Sequence, residues 1–234
     1  MEIKDYTNII KTSNFEYKNF NKFAPTWDDS GGFRMLVIGP SGCGKTNMIC
    51  SLLLNDIFYD RIFIYAKDIH EPFYKFLESV FKLSKENKIL KDYQITDHID
   101  EKIDLGELQE IKEKGGQTLI IFDDFINESK QDHKPICTLY TQGRKKGCST
   151  IYISQSFFAI PEIIRKNANY LSIYKLADDD DAKRIFRRYS GGDKDKVFNL
   201  YKNATDDKHN FFLIDTKTNN DILKYRRNWD ELYF

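Results

Sequence analysis

Eight consecutive residues, Gly39-Pro40-Ser41-Gly42-Cys43-Gly44-Lys45-Thr46, read G-x-x-x-x-G-K-[ST] without a mismatch. Glycines at this spacing let the backbone curl until successive N–H groups converge on phosphate oxygens, and the N-terminus of a following helix adds partial positive charge. In such a loop Lys45 reaches the β- and γ-phosphates and the Thr46 hydroxyl ligates Mg²⁺. The flanks suit the chemistry: the apolar run Phe33–Ile38 precedes the loop, and helical spacing follows from Lys45 to Leu54. The stretch is therefore a phosphate site. Cys43 occupies a variable place in it. A helix N-terminus can lower a thiol pKa, but a small residue that fits is the plainer reading.

Seventy-eight residues beyond Lys45, the run Leu119-Ile120-Ile121-Phe122 ends in Asp123-Asp124. A buried parallel strand delivers its C-terminal residues to the ligand edge of a sheet. Asp123 is then placed to hold Mg²⁺, usually through water, and Asp124 to orient or deprotonate an attacking water. Taken alone, two such acids could equally start a turn; the phosphate loop upstream favours the metal reading. Ser149 to Ser156 reads S-T-I-Y-I-S-Q-S, a β-branched strand with Gln155 at its end. If this strand lies beside that of Asp123, Gln155 faces the γ-phosphate and senses it by hydrogen bond; otherwise it is a loop glutamine in water.

Several elements must hold these groups. Strands are expected at Phe33–Ile38, Arg61–Ala66, Thr118–Phe122, Thr150–Ser154 and Tyr170–Leu176, with a short one near Tyr93–Thr96. Helices are expected over Lys45–Leu54, from Pro72 to about Leu83, over Leu105–Lys114, between the acidic strand and Thr150, from Pro161, and near Asp179–Tyr189 and Asp193–Asn203. Alternation of this kind implies an α/β fold: a mainly parallel sheet with helices on both faces. Residues 1–32 read as an N-terminal arm ending in a Gly-Gly turn, and 33–234 as the nucleotide domain. Ser84–Asp104 reads as a charged excursion, and 205–234 as a C-terminal hairpin region with arms His209–Asp215 and Asp221–Arg226.

The chain has 234 residues, 41% of them hydrophobic, enough for one sizeable core. Lys plus Arg and Asp plus Glu both total 36, which excludes a globally basic nucleic-acid coat and leaves only local cationic patches. The four cysteines (Cys43, Cys50, Cys137, Cys148) form no C-x-x-C pair and fit a reducing compartment. No apolar run is long enough to span a membrane, and Met1–Phe20 has no signal-peptide core, so a protein that is not secreted and not membrane-bound is expected. Asn87-Lys88-Ile89-Leu90 lacks the Asp of a guanine-specificity motif, which argues against a GTPase.

Four ordered stretches carry a family resemblance: F-R-M-L-V-I-G-P-S-G-C-G-K-T, L-I-I-F-D-D, G-R-K-K-G-C-S-T-I-Y-I-S-Q-S and I-P-E-I-I-R-K-N-A-N. Together, over roughly Phe33–Tyr189, they resemble the DNA-packaging ATPases of poxviruses, giant viruses and virophages, within the FtsK–HerA group of DNA pumps. The resemblance implies a RecA/FtsK-like nucleotide fold and an ATP-driven motor, working as a homo-oligomeric ring. Its substrate would be double-stranded viral DNA, threaded into a preformed capsid in the host cytoplasm or carried with the virion. Lys45 and Thr46 match the family's nucleotide and Mg²⁺ residues, Asp123 the metal-associated acid, Asp124 the catalytic acid and Gln155 the polar sensor. Many relatives in the wider group have Glu where Asp124 stands, and Asp is one methylene shorter. Arg144 matches the arginine that reaches the next subunit's ATP, with Arg165 second for that role; a surface cation and a helix-end ion pair are the competing readings.

DNA contact is expected from Lys145 and Lys146, or from Arg184, Arg187 and Arg188, whose spacing puts them on one helical face. Asp178–Asp181 could simply neutralise that face. Capsid proteins are the other expected partners. A small nucleoside or nucleotide kinase and a non-viral FtsK/HerA-type pump are the alternatives; the first needs an arginine-bearing lid, and Ser84–Asp104 contains no Arg. Trp27 could stack on the adenine or belong to the core.

Overall fold

The computed structural model describes residues 23–25, 31–99, 104–129, 131–218, 221–229 and 231–232. Trp27 and most of the 1–32 arm lie outside the described residues. The short apolar runs all become strands: β1 (Arg34–Ile38), β2 (Arg61–Ala66), β4 (Thr118–Asp123), β5 (Cys148–Ser154) and β6 (Tyr170–Tyr174), with β3 (Asp92–Thr96) at the edge. Between them run helices α1 (Lys45–Ser51), α2 (Pro72–Glu86), α3 (Leu105–Glu113), α4 (His133–Gln142) and α5 (Glu162–Asn167), and after β6 come α6 (Asp179–Tyr189) and α7 (Lys194–Ala204). The chain ends with β7 (Phe211–Asp215), a single turn α8 (Asp221–Lys224), β8 (Tyr225–Arg227) and β9 (Glu231–Leu232).

These strands form one sheet in the order β3-β2-β4-β5-β1-β6-β7-β8-β9. The first six are parallel; β7, β8 and β9 continue it antiparallel. Strands apolar on both sides need cover on both sides. Met35, Val37, Ile121 and Ile153 pack under α1 and α2. Leu36, Ile38, Ile120, Phe122 and Tyr152 pack under α3 to α7, through side chains such as Leu139, Ile164, Phe186 and Tyr201.

The C-terminal hairpin region and the helix after the phosphate loop depart from expectation. The arm Asp221–Arg226 is not one strand: Asp221–Lys224 is helical, and the strand is Tyr225–Arg227, pairing Ile214 with Tyr225 and Phe212 with Arg227. The first hairpin arm also starts later, at Phe211, because His209 and Asn210 close a turn onto Asp207. A buried charge locks this region: an Arg226 terminal nitrogen meets Asp215 Oδ2 at 2.5 Å, and Nε donates to Leu223 O at 2.8 Å. Within Ser84–Asp104 the expected short strand is present as β3, and α2 runs on to Glu86. Helix α1 is also shorter than expected; Leu52–Asp56 form a π-helical turn.

The Gly-Gly turn docks at the foot of the sheet. A Cβ on Gly31 would lie 2.3 Å from Arg144 O and one on Gly32 2.4 Å from Cys148 O, so only glycine allows this approach. Arg144 itself sits in a 3₁₀ turn, Gly143–Lys146, just before β5.

Asp215→Ala leaves the Arg226 guanidinium buried without its charge partner. Chemical denaturation is expected to register a loss of about 3–5 kcal/mol; a loss below about 1 kcal/mol would contradict the locking role.

Candidate active site

Register alone decides which loops meet. Ile38, closing β1, pairs with Ser154, closing β5, and Ile153 pairs with Asp123, closing β4. With β5 between them, β1 and β4 end roughly 10 Å apart at the same edge. The loops leaving these strands line one cavity of about 450 Å³, shared by Ser41, Lys45, Thr46, Asp123, Asp124 and Gln155.

The phosphate loop is shaped by its glycines. Gly42 and Gly44 have φ of +69° and +100°, where L side chains are strained. A Cβ on Gly39 would meet Tyr174 Cβ at 2.6 Å and Cys43 Sγ at 2.8 Å. Lys45 Nζ donates to the carbonyls of Gly39 at 2.8 Å and Pro40 at 2.9 Å, which ties its ammonium to the curl of the loop. Gly39 N donates to Ser154 O at 3.2 Å, binding the loop to the end of β5. Cys43 is buried, and burial outweighs Lys45 to push its thiol pKa up. It is a small packed residue, not an activated thiol.

The two acids differ sharply. Asp123 accepts a short hydrogen bond from the Tyr74 hydroxyl. Its pKa is raised to about 6, first by loss of solvent and further by Asp124, while Tyr74 and Lys45 pull it down. Asp124 adopts a left-handed conformation, φ 61° and ψ 38°, that Asp tolerates better than most residues. Its N–H donates to Ile153 O at 3.2 Å, while its Oδ1 is buried with no hydrogen-bond partner. Burying an unsatisfied acceptor costs about 1–3 kcal/mol. Asp124 as a residue also lines the phosphate cavity, which puts its carboxylate where a water beside the triphosphate could be oriented. Gln155 is exposed to the same cavity.

Neither proposed arginine lines this cavity. Arg144 precedes β5, whose seven residues separate it from Gln155 by about 20 Å. Arg165 lies on α5, its Nε donating to Ile160 O at 2.9 Å and its guanidinium 5.1 Å from the Phe157 ring centre.

Several groups joined the site that the motifs did not announce. Tyr74 reaches it because β2 lies next to β4, pairing Ala66 with Asp123 and bringing the first turn of α2 to the same edge. Pro72 opening that helix was the signal available. Lys67 and Glu128 form an ion pair of 2.5 Å across the loops after β2 and β4. His209, from the turn before β7, places Nδ1 3.4 Å from Cys43 O. Among the described residues no three or more His, Cys, Asp or Glu side chains gather as a metal cage.

The sequence profile described as "Poxvirus A32 protein" matches residues 20–222. None of the curated proteins matches the chain in sequence. Among solved structures, the DNA-packaging ATPase B204 of Sulfolobus Turreted Icosahedral Virus is similar at a TM-score of 0.56 and 18% identity, over 85% of this chain and 97% of that one. The genome-packaging NTPase B204 of Sulfolobus turreted icosahedral virus 2, in complex with ATP-gammaS, gives 0.56 and 16%, over 88% and 100%. The cytoplasmic domain of the type VII secretion ATPase EccC of Thermomonospora curvata gives 0.50 and 14%, over 86% of this chain and 25% of that one. The nucleotide fold read from the motifs is thus the observed one.

Protonation of Asp123 removes a charge from the site, so ATP hydrolysis is expected to fall as pH drops through about 6. Tyr74 favours the charged form. Tyr74→Phe should therefore move the acid limb of the pH–rate profile to higher pH; superimposable limbs would contradict this role.

Proposed function

The chain belongs to the poxvirus A32 protein family, and on that premise we propose that it is an ATP-hydrolysing motor that drives double-stranded viral DNA into a preformed capsid. The observation that carries the proposal is the shared cavity at the parallel edge, where Lys45, Thr46, Asp123, Asp124 and Gln155 converge.

The residues divide the work by their chemistry. The curled backbone from Gly39 to Gly44 and the Lys45 ammonium hold the triphosphate. A hydroxyl from Thr46 and a carboxylate from Asp123 are hard oxygen donors and would be the residues that hold Mg²⁺. Bound there, the ion supplies positive charge at the β- and γ-oxygens. Asp124, on the wall of the same cavity, orients the attacking water and accepts its proton. Gln155 reads the γ-phosphate by hydrogen bond.

Arg144 acts in trans. Its place at the far end of β5 keeps it from its own nucleotide, and a ring of identical subunits would bring it to a neighbour's. A positioned arginine stabilising γ-phosphate charge raises rates by ~10³–10⁵ in GTPases. Arg165 is the second candidate. Ring assembly makes hydrolysis depend on the neighbour, which is how subunits fire in turn around a duplex. Capsid proteins are the docking partner, and the host cytoplasm or the virion is the place of action.

A nucleotide kinase is not favoured. Its lid needs arginines over the phosphoryl acceptor, and the only long charged insertion, 84–104, has none and builds an edge strand.

Lys45→Ala is expected to abolish ATP hydrolysis. Arg144→Ala should do so while ATP binding persists, and mixing it with Asp124→Asn subunits should restore measurable turnover. A fully active, monomeric Arg144→Ala protein would refute the ring mechanism.

A further inference from the structure

We propose that the cavity between α5, α6 and the turn after β7 is a second phosphate-binding site, one that grips a backbone phosphate of nucleic acid. The proposal rests on the DNA-motor reading and names where the duplex is held. The cavity measures about 470 Å³ and is lined by Arg165 and Lys166 from α5, Arg188 from α6, Lys224 from α8, and Thr216 and Thr218. Among the described residues, none that lines it is acidic. Four cations from three separate elements thus converge on one concavity of a chain with zero net charge.

The contrast with neighbouring surface is electrostatic. On the outer side of α6 and α7 the cations are matched: Lys183 with Asp180 at 3.7 Å, Arg184 with Asp181 at 3.0 Å, and Lys202 with Asp179 at 2.7 Å. Among the described residues of the cavity, Lys166 is matched by Glu162 at 2.6 Å on the exposed side of α5, and Glu162 also feels the charges of Arg165 and Arg188 from beyond ion-pair distance. Among the described residues, no carboxylate lies within ion-pair distance of Arg165, Arg188 or Lys224. The expected single face of Arg184, Arg187 and Arg188 is therefore divided, since Arg184 turns to the Phe158 ring at 4.0 Å while Arg188 turns to the cavity.

One cation is positioned in advance. Arg165 is held by its Nε bond to Ile160 O and by the Phe157 ring, which leaves its two terminal nitrogens as a fork without other hydrogen bonds among the described residues. A fixed guanidinium fork matches phosphate geometry. The location fits too. Thr216 N donates to Asn169 O at 2.9 Å, placing this turn at the N-terminal end of β6, the edge opposite the nucleotide loop. The phosphate held here is thus not that of the protomer's own nucleotide.

The lining offers no ring face to a base. Its one aromatic, Tyr189, is buried, with the Arg188 guanidinium 5.8 Å from its ring centre. Recognition would run through phosphate alone, the contact that positions duplex DNA without reading sequence.

The test uses the full chain with ATP-gammaS and a fluorescent 30-base-pair duplex, with binding followed by anisotropy across 50–200 mM salt. Arg188→Glu with Lys224→Glu should weaken binding tenfold or more and flatten the log K against log salt slope by about 1–2. Arg188→Lys should bind within about threefold of wild type, which separates lost charge from lost folding, and Lys82→Glu on the far face of the sheet should bind as wild type. DNA-free ATP hydrolysis of the double variant should stay within about twofold. Wild-type binding with an unaffected double variant overturns the cavity and leaves the motor reading standing. Intact duplex binding with lost hydrolysis assigns the cavity to a neighbour's nucleotide and overturns the proposal. A wild-type chain that binds no duplex overturns both.

Discussion

Everything at the nucleotide edge depends on the parallel register of β4, β5 and β1. Because Ile38 pairs with Ser154 and Ile153 with Asp123, the three strands end within a residue of one another, and the loops leaving them must share one space. The side chains enforce this register. A slip of one residue would turn Leu36 and Ile38 from the α3–α7 face to the α1–α2 face, and Met35 and Val37 the other way. The Gly39–Ser154 hydrogen bond and the contact of Gly39 with Tyr174 then join the phosphate loop to both flanking strands, so the loop is as well placed as the sheet itself.

The legible part of the site is the part carried by contiguous residues. Phosphate loop, acidic strand end and strand-terminal glutamine each show their chemistry within eight residues, and strands buried on both faces show as apolar runs. What stayed hidden depends on strand order. Tyr74 becomes a partner of Asp123 only because β2 sits beside β4, and His209 reaches Cys43 only because the chain returns from α7 at the loop's flank. No local pattern encodes either adjacency. Asp221–Lys224 misled for a different reason: four residues with two apolar centres fit a strand as well as a helical turn, and the buried Arg226–Asp215 pair that settles it is an eleven-residue contact. Cys43 followed burial instead of the helix N-terminus, since desolvation of a thiolate exceeds what one nearby lysine offsets.

Net charge conceals a polarity across the sheet. Asp123 and Asp124 stand at one edge, in a cavity whose burial raises Asp123 to about 6. Arg144 and the cationic cavity stand towards the other. Equal totals of acid and base, 36 each, therefore coexist with a local separation of charge along the strands. Separation by a strand length puts Arg144 out of reach of the nucleotide cavity of its own chain.

The proposed joint hold of Thr46 and Asp123 on one metal can be tested directly by electron paramagnetic resonance of Mn²⁺ titrated into protein saturated with ATP-gammaS. Asp123→Asn and Thr46→Val should each lower Mn²⁺ affinity about tenfold to a hundredfold while nucleotide affinity measured without metal stays unchanged. Equal Mn²⁺ retention in wild type and both variants would mean that the loop and the acidic strand do not share one metal–triphosphate site.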